Sequence, residues 1–250
     1  MSTKADGRRP SGVGGARTMS SWLGPWRDRY RDVGLSVILA MQVMTIFVIS
    51  PLATTSLFSA EVIEVSRFGL AATAILVVNR SRLIGVSVAL TFVVSLFCTM
   101  YVKTGAAGHA VLLANIGFTI AFDMAVAWTV AHAVFDEGRI TFHRVMGAVI
   151  LYLYVGLIFA SVDRLAADLL NPSFSGLSAT KKVHLSELLY FSLSTLTTSG
   201  FGDIVPVHPL IRSLANLESV IGQLYPATFL ARLVTLHGTE RARSSRRDKR

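Results

Sequence analysis

The sequence has little charge for its length. Of its 250 residues, 16% are Asp, Glu, Lys or Arg and 52% are hydrophobic, and the mean hydropathy is +0.55. A soluble globular domain carries about 25% charged residues, so the chain has too little polar surface to cover a soluble fold of this size. The shortage of charge therefore excludes a soluble globular domain and indicates an integral membrane protein.

Cysteine and the common catalytic motifs are also scarce. The one cysteine, Cys98, lies within an apolar run, so an intrachain disulfide and a thiolate metal site are both excluded. The sequence contains no Walker loop, no GxGxxG pattern and no cluster of metal ligands. We therefore expect no enzyme activity, no cofactor and no resident metal.

The charge that is present is mostly basic and lies near the two ends. There are 24 Lys and Arg against 15 Asp and Glu, a formal net charge of +9. Because the arginines precede the first apolar run and follow the last, anionic lipid headgroups are favoured as partners over nucleic acid. We expect residues 1–32 to be a basic tail. Within it, Trp22, Trp26 and Tyr30 indicate either a short interfacial helix or an irregular segment.

Six apolar segments are candidates for crossing a membrane, whose hydrocarbon core of about 30 Å needs about 20 helical residues. In chain order they are 33–58, 62–78, 83–102, 106–134, 145–162 and 209–236. Six spans place both termini on one side, and that side holds 17 of the 24 Lys and Arg. By the positive-inside rule, the sequence predicts an all-α, multi-pass protein of the cell membrane with both termini in the cytoplasm.

The segment between the fifth and sixth spans is too short to cross the membrane twice. Residues 188–196 are apolar and can enter the bilayer as a helix, whereas Gly200 and Gly202 free the backbone that follows. Irregular backbone at membrane depth must line water or be wrapped in protein. The pattern predicts a re-entrant helix followed by a glycine-spaced loop.

Residues 197–203, which read TTSGFGD, resemble the selectivity filter of potassium channels, T-x-G-[Y/F]-G-D. Gly222 comes 20 residues after Gly202, where potassium channels place the glycine hinge of the inner helix. The resemblance implies a homotetrameric channel with a pore domain over residues 136–237. In that domain we expect an outer helix at 143–163, a pore helix at 186–198, a filter at 198–203 and an inner helix at 209–236. It leaves residues 33–135 as a four-helix domain of unassigned role and residues 238–250 as a basic cytoplasmic tail.

The resemblance implies passive conduction of K⁺ through backbone oxygens. The predicted ligands are the carbonyl groups of Thr198, Ser199, Gly200 and Phe201. They would replace the hydration shell of the ion, with the Thr198 hydroxyl as the innermost ligand. Gly202 belongs to the same filter, and Asp203 marks its outer mouth. Since one chain supplies one filter strand and a carbonyl cage needs four, we expect a homotetramer.

Two filter residues depart from the usual potassium-channel pattern. Ser199 stands where Val or Ile is usual, and Phe201 stands where Tyr is commonest. A nonselective monovalent cation channel and a nonconducting accessory subunit therefore stay open as alternatives. An intramembrane hydrolase that uses Ser199 with His109 or His132 as base is disfavoured, because it leaves the second glycine and Asp203 unexplained.

The sixth span carries the candidate pore-lining and gating residues, which are Gly222, Gln223, Pro226, Ala227 and Leu230. We expect Pro226 to kink the helix because it lacks a backbone donor, which either shapes a gate or serves packing alone. The fourth span lacks the repeated arginines of a voltage sensor.

Three acidic residues are candidates for structural or modulatory roles. Glu187 begins the pore helix, where the helix dipole stabilises a carboxylate. Glu218 lies in the sixth span and must find a donor there, for example behind the pore helix, or be protonated. Asp123 is either a functional carboxylate or a structural partner of His132 or Asn115, and we favour the structural role.

Overall fold

The computed structural model describes residues 36–37, 39–52, 82–104, 108–135, 142–177 and 185–247. Several of the sequence-based predictions lie wholly or partly outside these residues. They are the tail at 1–32 with its interfacial helix, parts of the spans at 33–58 and 106–134, the span at 62–78, the connection at 136–141 that opens the pore domain, and the last residues, 248–250.

The described residues form helices and one pair of short strands. The helices are α1 (Leu39–Leu52), α2 (Arg82–Lys103), α3 (His109–Phe135), α4 (Phe142–Leu169), α5 (Leu185–Leu196) and α6 (Pro209–Arg247). Thr45–Ile49 form a π-helical stretch within α1. Strands β1 (Phe174–Ser175) and β2 (Val205–Pro206) pair in antiparallel fashion. The part of the chain that the structure describes is thus mostly helical, as the sequence predicts.

Two of the described helices are long and apolar enough to cross a membrane. They are His109–His132 within α3 and Val145–Leu169 within α4. Helix α6 is longer, at 39 residues, but its apolar residues are interrupted by Arg212, Glu218 and Gln223. The long apolar helices are consistent with a membrane protein, and the other predicted spans stay predictions.

Several helix boundaries differ from those expected from sequence. Helix α3 begins at His109 and ends at Phe135, against the predicted 106–134. Helix α4 continues to Leu169 rather than ending at 163, because charged residues end the apolar run there without breaking the helix. Helix α6 continues through Arg247 rather than ending at 236, so most of the predicted basic tail is helical. Arginine is a good helix former, and its charge ends only the apolar character of the segment.

The pore helix is also shorter than predicted, since α5 ends at Leu196 and not at 198. The N–H of Thr198 donates to the Thr195 carbonyl at 2.9 Å, which is a tighter turn than the α-helical one. The Ser194 carbonyl accepts from the N–H groups of Ser199 and Gly200. These bonds end the helix two residues early and begin the loop.

Helix α4 is the central element of the packing. Apolar side chains of α3 and α4 form the main core, which contains Phe122, Val126, Ala127, Val130, Val134, Ala148, Ile150, Leu151 and Tyr154. A second cluster joins Ile46 of α1, Leu153 and Ala160 of α4, and Leu189 of α5. Helix α5 also packs against α6, so the short helix that carries the loop is held between two long ones.

Candidate ion filter

The loop after α5 alternates between two backbone conformations. Thr198, Gly200 and Gly202 have positive φ angles of 57°, 54° and 77°, and Ser199 and Phe201 between them do not. Alternation of this kind turns successive N–H groups to one side of the chain and successive carbonyl groups to the other. A loop with this alternation of φ can therefore line a path with carbonyl oxygens.

The N–H side of this strand faces α5. The Ser194 carbonyl accepts two hydrogen bonds, from Ser199 N at 2.8 Å and from Gly200 N at 3.1 Å. Two donors that converge on the end of the helix leave the carbonyl groups free for the opposite, exposed side. All residues from Thr197 to Asp203 are exposed within one chain.

Thr198 is the strained residue of the loop. A positive φ is uncommon outside glycine and is an outlier for a β-branched residue, at a cost of about 1–3 kcal/mol. Strain of this size persists where the surroundings enforce it, and the hydrogen bonds of Thr198, Ser199 and Gly200 to the last turn of α5 do so here. The outlier makes Thr198 a candidate for a functional site.

The side chains of the loop contact one another and α5. The Ser199 hydroxyl lies 3.0 Å from the Thr197 hydroxyl, which also donates to the Leu193 carbonyl at 2.7 Å. The Phe201 ring stacks on the Tyr190 ring, with centroids 5.8 Å apart. Burial and the neighbouring Asp203 carboxylate raise the pKa of the Tyr190 hydroxyl. One residue of α5 thus supports both the aromatic and the acidic residue of the loop.

The carboxyl end of α5 is bound from both neighbouring helices. The Tyr152 hydroxyl of α4 donates to the Leu196 carbonyl at 3.1 Å, and the Ser219 hydroxyl of α6 donates to the Thr195 carbonyl at 3.3 Å. Gly222 is buried against the Leu196 carbonyl, so closely that a Cβ there would clash with it. The negative end of the α5 dipole is therefore held in place beside the inner end of the loop.

A strand pair braces the other end of the loop. Strand β1 precedes α5 and strand β2 follows the loop, and Phe174 pairs with Pro206. Gly176 has a φ of 86°, and its α-carbon packs against the Asp203 carbonyl with no room for a side chain. Arg212 Nε donates to the Pro206 carbonyl at 2.9 Å, which ties the start of α6 to β2.

The predicted pore-lining residues lie on the exposed side of α6. Gln223, Ala227 and Leu230 are exposed, and Pro226 is exposed within a continuous helix. Gly222, which its spacing predicts to be a hinge, is in close contact with α5, and the hinge role stays a prediction. Packing against α5 is therefore sufficient to explain why residue 222 has no side chain.

The remaining candidates are dispersed. Glu187 lies in the first turn of α5 and is half-buried. Asp123 is buried in α3. Asn115, one of its predicted partners on the same helix, accepts a hydrogen bond through its amide oxygen from the Thr99 hydroxyl at 3.1 Å. Both histidines of the hydrolase hypothesis lie on α3, and the ring of His132 packs against Trp128 at 6.1 Å. The described contacts of Ser199 are with α5 and Thr197, and they give the hydrolase hypothesis no support.

Glu218 is fully buried on α6, with one carboxyl oxygen 2.5 Å from the Ser192 hydroxyl of α5. Sequence reasoning did not identify Ser192, nor Tyr152 and Tyr190 as supports of the filter. Their partners are distant in sequence, 26 residues for Ser192 and 44 for Tyr152. Only the composition could have pointed to them, because a hydroxyl group on an otherwise apolar helix needs a hydrogen-bond partner.

In the part of the chain that the structure describes, no group of three or more His, Cys, Asp or Glu residues could hold a metal ion.

A family model described as "Ion channel" matches residues 147–237. The match supports an ion channel. The matched segment begins within α4 and ends within α6, so it contains the whole candidate filter, all of α5 and most of the two long helices that support it. Together with the long apolar helices, it supports a channel in a membrane. No curated protein matches the chain.

Proposed function

We propose that this ion channel is selective for potassium, and that K⁺ crosses it passively through a filter built from residues 198–203. The observation that carries the proposal is the alternating backbone of Thr198, Gly200 and Gly202. That backbone offers a row of carbonyl oxygens, the ligands that replace the hydration shell of K⁺. Transport of this kind needs no cofactor, and K⁺ is the cargo.

Four copies of the chain are proposed to surround one axis. The carbonyl groups of one loop can contact an ion from one direction only. A complete ring of carbonyl ligands requires identical loops from several subunits related by rotation. Exposure of the whole loop and of Gln223, Ala227 and Leu230 supports this arrangement, since these are the surfaces that copies would share. The basic ends of the chain are proposed to lie in the cytoplasm against anionic lipids of the cell membrane.

A nonselective monovalent cation channel is the second candidate. An apolar side chain, usual at this position in potassium channels, packs against the pore helix, whereas Ser199 offers an exposed hydroxyl that bonds only to the neighbouring Thr197 hydroxyl among its described side-chain contacts. A filter held less firmly at this residue would discriminate less between K⁺ and Na⁺. A nonconducting accessory subunit is the third alternative, and the same measurement separates all three.

The test is a reversal potential measured on purified protein in a planar bilayer, with KCl on one side and NaCl on the other. A reversal close to the K⁺ equilibrium potential, with block by Ba²⁺, is the expected result. A reversal near zero would identify a nonselective cation channel. Absence of current across a range of voltage, pH and lipid composition would favour an accessory subunit.

Gly200→Ala tests whether the loop carries the current. An alanine at φ of 54° costs about 1–2 kcal/mol, so we expect the K⁺ conductance to fall about tenfold, the factor that corresponds to 1.4 kcal/mol. Gly117→Ala is the matched control, because Gly117 lies in α3 with open space around its α-carbon. Equal conductance of the two variants would contradict the assignment of the filter.

A further inference from the structure

Three helices meet at the hydroxyl group of Ser192. Ser192 lies on α5 and is fully buried. Its Oγ is 2.7 Å from the Gly156 carbonyl oxygen of α4 and 2.5 Å from Glu218 Oε1 of α6. Both distances are within the range of O–H···O hydrogen bonds. The contact therefore joins the helix that carries the filter to both of its long neighbours.

The number of protons available for these two hydrogen bonds determines whether the Glu218 carboxyl group is protonated or ionised. A serine hydroxyl has one proton to donate, a carbonyl oxygen only accepts, and an ionised carboxylate only accepts. Two hydrogen bonds among these three oxygens need two protons. The second proton must belong to the carboxyl group of Glu218. The Ser192 hydroxyl then donates to Gly156 and accepts from Glu218.

The surroundings of Glu218 also disfavour its ionised form. The residue is fully buried, and an isolated carboxylate in an apolar interior is costly. Its electrostatic neighbours on α4 are Asp163 and Tyr152, and on α5 its neighbour is Ser192. Asp163 is acidic and is itself 1% exposed. A proton on Glu218 removes a negative charge from this group.

We propose that Glu218 is a positioning residue, whose neutral carboxyl group donates to Ser192 and so holds the pore helix α5 between α4 and α6. Ser192 precedes Ser194 by two residues, and the Ser194 carbonyl receives the N–H groups of Ser199 and Gly200. A shift of α5 would therefore move the filter strand. The effect on ion selectivity rests on the proposed function, whereas the protonation of Glu218 does not.

The first test is infrared spectroscopy of the full-length protein in lipid at neutral pH. The difference between wild type and Glu218→Gln should show the C=O stretch of a protonated carboxyl group. Ser192→Ala should shift that band to higher frequency, because the carboxyl group loses its hydrogen-bond partner. Asp163→Asn is the matched control and should leave the Ser192-sensitive band in place. A difference spectrum with carboxylate bands alone, or a band lost only in Asp163→Asn, would overturn the protonation.

The second test follows the filter. Glu218→Gln keeps a donor for Ser192, so its K⁺/Na⁺ permeability ratio should stay within about twofold of wild type. Ser192→Ala leaves Glu218 and Gly156 without this partner, and a lost buried hydrogen bond predicts a ratio about fivefold lower. A Ser192→Ala channel with the wild-type ratio would overturn the positioning role.

Hydrogen exchange separates this proposal from the proposed function. In Ser192→Ala, amides of residues 185–203 should exchange at least about fivefold faster than in wild type, whether or not the protein conducts. Unchanged exchange in this segment would count against the positioning role. A nonselective wild-type current combined with faster exchange would overturn K⁺ selectivity and leave the role of Glu218 standing.

Discussion

Thr198 combines an unfavourable backbone conformation with a useful hydroxyl group. Glycine would adopt a φ of 57° without strain, but glycine has no side chain to contribute a ligand. The presence of a β-branched residue there implies that the hydroxyl group contributes more favourable free energy than the backbone strain costs. In the proposed channel, that hydroxyl is the innermost oxygen ligand of the filter.

Substitutions at Thr198 can separate the hydroxyl group from the β-branch. Thr198→Ser keeps the hydroxyl and eases the strain, so we expect a K⁺/Na⁺ permeability ratio within about twofold of wild type. Thr198→Ala removes the ligand, and we expect the ratio to fall up to about tenfold, since a hydrogen-bonding group contributes about 0.5–1.5 kcal/mol. Thr197→Ala is the control for loss of a neighbouring hydroxyl group, because the Thr197 hydroxyl already bonds to the Leu193 carbonyl at 2.7 Å and lies 3.0 Å from the Ser199 hydroxyl. An equal loss in Thr197→Ala and Thr198→Ala would contradict the ligand role.

At the residue scale, the sequence predicts the filter but not its supports. Two glycines alternating with Thr198 are a local pattern, and the positive φ angles occur at those three residues. Tyr152, Tyr190 and Ser192 act through partners in other elements, so no local pattern could identify them. Their hydroxyl groups were visible in the sequence, but the acceptors were set by helix packing.

Among the helices, the contact between α5 and α6 depends on Gly222. The α-carbon of Gly222 lies against the Leu196 carbonyl, and a methyl group there would overlap with it. This close approach lets Ser219, which lies about one turn before Gly222 on α6, donate its hydroxyl group to the Thr195 carbonyl of α5. Gly222 is therefore needed for packing, whatever it contributes to movement.

Gly222→Ala should destabilise the protein by about 1–3 kcal/mol, the usual cost of overpacking. The measurement is the thermal unfolding midpoint in detergent, which should fall. Gly117→Ala is again the control and should leave the midpoint unchanged or raise it, because alanine favours helix and has open space there. If Gly222→Ala alters open probability while its unfolding midpoint stays at the wild-type value, the hinge role is correct and the packing role is not.

Element types follow from the sequence more directly than element ends. Apolar runs identify α3, α4 and α5, because burial in lipid or in the core requires them. The end of α5 at Leu196 depends on two N–H groups of the loop that compete for the Ser194 carbonyl. The extension of α6 to Arg247 depends on helix propensity beyond the apolar run. Neither cause appears in a count of hydrophobic residues.

For the whole molecule, the proposed assembly links ion binding to subunit association. A filter site made of carbonyl groups from four strands exists only in the tetramer. An ion that binds only the assembled state stabilises it by RT ln(1 + [L]/Kd), or about 2.7 kcal/mol at 100 times Kd. Potassium should therefore act as a ligand that holds the subunits together.

The corresponding experiment is thermal dissociation of the detergent-solubilised protein in KCl, NaCl and choline chloride at equal ionic strength, followed by native mass spectrometry. We expect a tetramer that persists to higher temperature in KCl than in the other two salts. Gly200→Ala should lose most of the difference between KCl and choline chloride. Equal stability of wild type in all three salts would contradict ion binding between subunits.

The strand pair β1–β2 has a consequence for access to the proposed channel. It joins the segment before α5 to the segment after Asp203, and Gly176 contacts the Asp203 carbonyl directly. A ligand bound to this strand pair would alter the mouth of the proposed filter without entering the ion path, because the pair is in direct contact with the backbone at Asp203. An antibody fragment raised against the β1–β2 surface would therefore act as a modulator rather than a plug.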